Sequence, residues 1–272
     1  MSTIIDRIEA LPPLPKTIEE IEAFRKKPQK ESYELLEIIE KDPLIISTLL
    51  KIANSAMFGF RSKVETPSRA INLLGINFTI SIAIGGTVQN LLTTSLEPYG
   101  INTDDFLRAS NIATSLESLW LKNVDYDLKE ELVLPTLLQE TGKFIISDIV
   151  LSQSKAKEFK EKLKTAKEVS EVEKEFTGYT TSQITAEIFK HWKLSNSLIG
   201  SIENVDSINE ATPEFVLKAK ILNVLKTVCD IRNPLNDTAI KLALQKSLDY
   251  GLQTKALEKA IEDIQDRILD EM

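Results

Sequence analysis

Apolar residues recur along this chain at intervals of three and four, the period of amphipathic helices rather than of strands. Leu44, Ile45, Thr48, Leu49 and Ile52 line one face of a predicted helix that stops near Asn54, and Leu35, Leu36, Ile38 and Ile39 mark the helix before it, with Ser32 placed to cap it. Phe215, Val216, Ala219, Leu222 and Leu225 mark another, and the tail carries an apolar stripe at Leu257, Ala260, Ile261, Ile264 and Ile268 with acidic residues opposite. Asp42-Pro43, Thr66-Pro67 and Thr212-Pro213 each set a capping side chain before a proline in the first helical position, where a missing N–H costs nothing. No run alternates at period two for long enough to make a strand. The pattern predicts an all-α fold.

Punctuation divides the chain into three blocks. Glu97-Pro98-Tyr99-Gly100 interrupts the helical pattern, and Asn204 to Thr212 is polar and turn-like. The expected organisation is a domain over 1–206, in helical parts of about 1–97 and 101–206, followed by a helical extension over 207–272. Between Lys155 and Glu175 stand seven lysines and six glutamates, a composition that reads as a helical pair with a solvated face.

The charge balance narrows the possible partners. Lys and Arg total 33 against 41 Asp and Glu, a net charge of −8, and no third of the chain is basic, so binding nucleic acid by phosphate neutralisation is not expected. His191 is the single histidine, so every metal centre built on two or more histidines is excluded within one chain. No cofactor is expected. The apolar stretch Ile76 to Ile84 is broken by Asn77, Thr79 and Ser81 and falls short of the roughly 20 residues that span a bilayer. A lone Cys229 and an N-terminus interrupted by Asp6 and Glu9 suit a reducing, cytoplasmic setting.

Several local features invite chemistry, and most have plainer readings. Asn123, Asp125 and Asp127 have the oxygen spacing of a calcium loop, but Leu128 and Leu134 stand where glycine and a bidentate glutamate are needed. His191 reads as a partly exposed structural histidine, and Gly85-Gly86 as a point of close helix packing or a kink. Asn54 and Ser55 are expected to bond the orphan groups at a helix end. Met57, Phe58 and Phe60 with Arg61 form an aromatic knot beside a cation, which is either core or, if exposed, the composition of a protein-binding surface. The C-terminal stripe either closes the core or docks on a partner.

Four signatures succeed one another between Leu11 and Ile76: LPPLPK (11–16), LLEIIEKDPLI (35–45), KIANSAMFG (51–59) and SRAINLLGI (68–76). With PTLLQETGKFIISD (135–148) and GYTTSQITAEIFKHWKL (178–194), they give the chain over about 11–206 a resemblance to the HDOD family, regulatory helical domains related to the HD phosphohydrolases. Asp42, Pro43, Asn54, Ser55 and Gly75 fall in these motifs.

The resemblance implies an HD-like helical scaffold. It places Gln139 and Glu140 where the phosphohydrolases have their His-Asp pair and Ala109 at about an upstream histidine, with Thr181, Asn204, Val205 and Asp206 at the later positions. The metal ligands are therefore absent. The resulting expectation is a non-enzymatic bacterial signal-transduction protein that binds another protein, with Met57, Phe58, Phe60 and Arg61 as candidate contacts. Two alternatives stand beside it: a sensor that reads a signalling nucleotide through Lys143, Arg108 or backbone amides, and a phosphohydrolase with a carboxylate site of Glu140 with Asp148 or Asp206.

Overall fold

The computed structural model describes residues 3–54, 60 and 62–270, without the side chains of Leu269 and Asp270. Among them are sixteen α-helices and no strand. The described residues form two compact units, one within 12–92 together with 267–270, the other 3–11 together with 93–266.

The first unit holds α2 (Lys16–Arg25), α3 (Ser32–Ile39), α4 (Pro43–Ala53), α5 (Pro67–Leu74) and α6 (Ile76–Leu91). The Asp-Pro and Thr-Pro starts are as the sequence predicts. Asp42 accepts hydrogen bonds from the Leu44 and Ile45 amides, and Thr66 from that of Arg69. Ser32 is the first residue of α3 rather than its cap, which is Glu31 with no capping side-chain bond. Ile45, Leu49 and Ala53 form the buried face of α4, whereas Leu44 is 68% exposed because it points off that face.

Asn54 closes α4 as expected. Its Nδ2 donates to the Leu50 and Val64 carbonyls at 2.8 Å, and its Oδ1 accepts from the Val64 amide at 2.8 Å. Gly75, at φ +84°, joins α5 to α6 through a bend of 118°. α6 is buried from Thr79 to Gly86, and its polar breaks are absorbed internally: Thr79 and Ser81 hydroxyls donate back to the Gly75 and Asn77 carbonyls. A Cβ on Gly86 would lie 2.7 Å from Thr48 Cγ2, which gives the expected close approach a partner on α4. No single described helix is long and apolar enough to cross a membrane. Asp42→Ala is expected to destabilise by about 0.5 to 2 kcal/mol, the usual loss for an N-cap, measured by urea denaturation; an unchanged midpoint would remove the capping role.

The second unit gathers α1 (Ile4–Glu9), a 3₁₀ turn at Glu97–Tyr99, α7 (Thr103–Leu121), α8 (Tyr126–Leu138), α9 (Lys143–Ser152), α10 (Ala156–Thr165), α11 (Val169–Thr177), α12 (Thr181–His191), α13 (Asn196–Glu203), α14 (Val216–Val228), α15 (Asp237–Asp249) and, as far as Asp266, α16 (Thr254–Asp270). Asp125, the middle residue of the calcium-like triplet, caps α8 through the Leu128 amide. His191 is exposed at the end of α12.

The stretch after 207 lies within this unit up to Asp266. α14 packs on α7, α8, α13 and α15, with Leu222, Val224, Leu225 and Val228 fully buried. It starts three residues later than Thr212-Pro213 predicts, because those residues make a turn in which the Thr212 carbonyl accepts from Phe215 and Val216. The tail stripe closes core: Leu257, Ala260, Ile261 and Ile264 are buried.

Candidate functional site

The second unit buries a cluster of charge where α9, α11, α12 and α14 meet the 3₁₀ turn. Lys143 opens α9 and is 2% exposed. Its ammonium donates to Glu173 Oε1 at 2.7 Å and to Thr181 Oγ1 at 3.2 Å, lies 2.9 Å from Glu140 Oε2, and sits 4.8 Å from the centre of the Tyr99 ring. Glu173, with no exposure, is the hub. Oε1 also accepts from the Tyr99 hydroxyl at 3.0 Å and the Thr181 hydroxyl at 2.7 Å, and Oε2 from the Thr181 amide at 2.8 Å.

A second pair adjoins it. Lys226 of α14 donates to both oxygens of Asp206 at 2.8 and 2.9 Å, and Asp206 also accepts from the Ser182 amide at 3.2 Å. Burial alone would push the Glu173 and Asp206 carboxyls up. The Lys143 charge beside Glu173, the Lys226 charge beside Asp206 and the donated hydrogen bonds hold both below the ordinary range. Against the same desolvation, Glu140 and Glu173 raise Lys143, while Asp206, Glu140 and Glu173 raise Lys226. These four shifted groups are therefore charged at neutral pH.

Beside the cluster is a cavity of about 210 Å³, lined among others by Lys167, Ser170, Asn223, Lys226, Arg232 and Thr238. Arg232 is held by Asp230 and donates to the Leu163 carbonyl at 2.9 Å. Glu117 on α7 is a buried acid outside the cluster. It receives a hydrogen bond from the Ser118 hydroxyl at 3.1 Å, and burial pushes its carboxyl well up. A folded pKa above the unfolded one makes the native state hold the proton, so stability falls as pH rises above the unfolded carboxylate range of about 4.3. Glu117→Gln is accordingly expected to stabilise by about 1 to 3 kcal/mol at pH 8 and to do little at pH 4, read by urea denaturation at both.

The structure draws together only part of the predicted set. Ala109, Gln139 and Glu140 line one small void with Lys226. Thr181 and Asp206 belong to the charge cluster, but Asp148 does not, being ion-paired with Arg7 of α1. Lys143 is consumed by its carboxylates, and Arg108 lies on α7, away from the cluster's contacts. Asp42, Pro43, Asn54 and Gly75 serve caps and turns in the other unit. Phe60 is half-buried, while Ser55, Met57, Phe58 and Arg61 lie outside the described residues. The solvated reading of 155–175 needs correction at Glu173, which faces inward with Val172 while its neighbour Lys174 is exposed.

The pattern of the HDOD domain matches residues 11–208, most of the chain. The chain belongs to the HDOD domain family. An uncharacterized protein of Treponema pallidum (strain Nichols) is 29% identical over 93 residues, 33% of this chain and only 18% of that protein. Two solved structures, each 20% identical, share the fold with a TM-score of 0.74. One, named a candidate phosphohydrolase of Shewanella amazonensis SB2B, matches over 97% of this chain and 93% of its own. The other, named a candidate signal transduction protein of Marinobacter aquaeolei VT8, matches over 100% and 61%.

The HD relationship implies metal ions, and the HDOD residues at these positions do not suit them. Ala109 has no donor atom, Gln139 offers a neutral amide, Glu140 stands beside the Lys143 ammonium and Asp206 is gripped by Lys226. Among the described residues no three His, Cys, Asp or Glu side chains are grouped to hold a metal.

Proposed function

We propose that this HDOD protein is a non-catalytic cytoplasmic regulator that acts by binding another protein. The observation that carries the reading is the pairing of Glu140, Glu173 and Asp206 with the ammonium groups of Lys143 and Lys226. Activation of water for attack on phosphate needs a bound metal or a free base, and these carboxylates are engaged as ion-pair partners. The purified chain is expected to show no phosphomonoesterase or phosphodiesterase turnover with Mg²⁺, Mn²⁺ or Fe²⁺. Turnover that disappears in Glu140→Ala would overturn the reading.

Partner binding is assigned to Met57, Phe58, Phe60 and Arg61, where aromatic area and a guanidinium combine to bury apolar surface and pair with a carboxylate. Phe58→Ala and Arg61→Ala are expected to leave the fold intact and weaken capture of the partner from native-cell lysate by about 1 kcal/mol or more. Loss of roughly 3 to 5 kcal/mol of stability in Phe58→Ala would place that ring in the core instead. A second reading, a small-ligand sensor, is favoured by the cavity beside the cluster, where Lys167 and Arg232 stand with Ser170 and Thr238. Thermal-shift measurements against a panel of nucleotides separate the two.

A further inference from the structure

The cavity of about 210 Å³ beside the charge cluster has walls of two origins. One comes from the span that matches the HDOD pattern and includes Glu140 and residues 166–170, where α10 gives way to α11. The other comes from beyond that span, from α14, α15 and the loop between them, and includes Lys226, Arg232 and Thr238. A single water needs only roughly 10–15 Å³, so the space suits a small molecule.

Every carboxylate on the lining already has a cation: Glu140 has Lys143, Asp206 has Lys226, Asp230 has Arg232, and Glu168 has Lys246 of α15 at 2.9 Å. Lys167 is exposed on the lining and forms no ion pair among the described residues. Arg232 has donors to spare. Its Nε and Nη2 are on Asp230 and its Nη1 on the Leu163 carbonyl, which leaves two of the five guanidinium N–H groups unspent while fixing the side chain at the cavity. Two helices also begin there. Ser170 stands in the first turn of α11, which has no side-chain cap, and Thr238 in the first turn of α15, where Asn236 takes the Ala239 amide. Their remaining first-turn amides and dipoles favour an anion. Glu140 adds an independent demand: it is only 8% exposed, yet its Oε2, 2.9 Å from Lys143 Nζ, accepts no hydrogen bond, so an occupant with a hydroxyl supplies a missing donor.

We propose that this cavity binds a small hydroxylated phosphate monoester, with the phosphate on Lys167, Arg232 and the starts of α11 and α15 and the hydroxyl toward Glu140. Donors come from three separate segments, which suits the three terminal oxygens of a phosphate better than the two coplanar oxygens of a carboxylate. The inference rests on the small-ligand reading above and names its ligand class. It also gives the C-terminal helices a task besides completing the core, because Arg232 and Thr238 lie beyond the 11–208 span.

The test is calorimetric titration of the full chain with inorganic phosphate, glycerol 3-phosphate and malonate. Both phosphates are expected to bind one per chain and to compete, glycerol 3-phosphate the more tightly, and malonate to bind at least about tenfold more weakly. Lys167→Gln and Arg232→Gln are each expected to weaken glycerol 3-phosphate at least about fivefold. Lys167→Gln breaks no ion pair, so it carries the test if the arginine variant does not fold. Lys259→Gln removes an exposed lysine that does not line the cavity and is expected to change nothing. Absence of binding by either phosphate up to about 10 mM overturns the proposal. So do equal affinity for malonate, binding of inorganic phosphate without the ester, a Lys167→Gln protein that titrates like the wild type, or an equal loss in Lys259→Gln. A nucleotide-induced thermal shift that survives unchanged in Lys167→Gln would leave the sensor reading standing and overturn this one, so the two fail separately.

Discussion

Lys143→Met is expected to cost about 3 to 5 kcal/mol, the penalty for removing one member of a buried pair and leaving the other charged. The methionine keeps the unbranched stem but supplies no donor, so Glu173, fully buried, loses the contact at 2.7 Å and Glu140 the one at 2.9 Å. In a unit of this size the loss corresponds to a fall of roughly 6 to 20 °C in the unfolding midpoint. Replacing both partners, as Lys143→Met with Glu173→Leu, is expected to recover much of it, because the desolvation cost leaves with the charges. The Thr181 amide and the Tyr99 hydroxyl would still lose their acceptor, so recovery stays incomplete. A single variant within about 0.5 kcal/mol of wild type would show that the cluster adds nothing to stability.

The pH dependence comes from the direction of each shift. Glu173 and Asp206 have folded pKa values below their unfolded ones, so their contribution is present above the unfolded carboxylate range and is lost as pH falls through the folded values. Lys143 is raised, so its contribution is complete below the unfolded lysine value of about 10.4 and is lost as pH rises through the folded one. In Lys143→Met the main cation beside Glu173 is gone, desolvation dominates, and protonation of the acid becomes favourable to the fold. The gap between wild type and variant is therefore expected to narrow below about pH 5. A gap that widens in acid would contradict this account of Glu173.

The fold class was legible because period and caps agree from end to end, as at Asp42-Pro43 and the Leu257 stripe. The cluster was only half legible. Motif positions led to Gln139, Glu140, Thr181 and Asp206, but Lys226 and Glu173 were missed for one physical reason. Each lies at the i+7 or i+4 position of an apolar face: Ala219, Leu222, Asn223 and Lys226 on α14, and Val169, Val172, Glu173 and Phe176 on α11. A charge in that register points inward, yet amid many lysines and glutamates, or in a segment matching no known motif, it reads as surface. Register was the available sign. The division into units was less legible because Asn204 to Thr212 looks like a boundary, although Val205 within it is fully buried and its carbonyl accepts from Asn223 Nδ2 at 2.8 Å.

Gly142→Ala is expected to destabilise by roughly 3 kcal/mol, the upper end of overpacking costs, because what the new methyl meets is backbone. An added Cβ would lie 2.4 Å from the Thr181 carbonyl oxygen and 2.9 Å from the Thr185 amide nitrogen. Neither can rotate away, so α9 and α12 must separate. That separation would also pull apart the Gly142 amide and Thr185 Oγ1, now 2.8 Å apart, and lengthen the reach from Lys143 to Thr181. The glycine in the Glu-Thr-Gly-Lys run is thus required by close approach of two backbones, at a position where φ is −60° and any residue could adopt the conformation. Gly86→Ala is the internal comparison: its Cβ meets chiefly the Thr48 side chain, at 2.7 Å, which has a rotamer to change, and about 1 kcal/mol is expected. Thermal unfolding of the two variants ranks them. Equal midpoints, or a Gly142→Ala protein as stable as wild type, would mean that the helices separate at no cost and that the ion-pair cluster does not depend on their close packing.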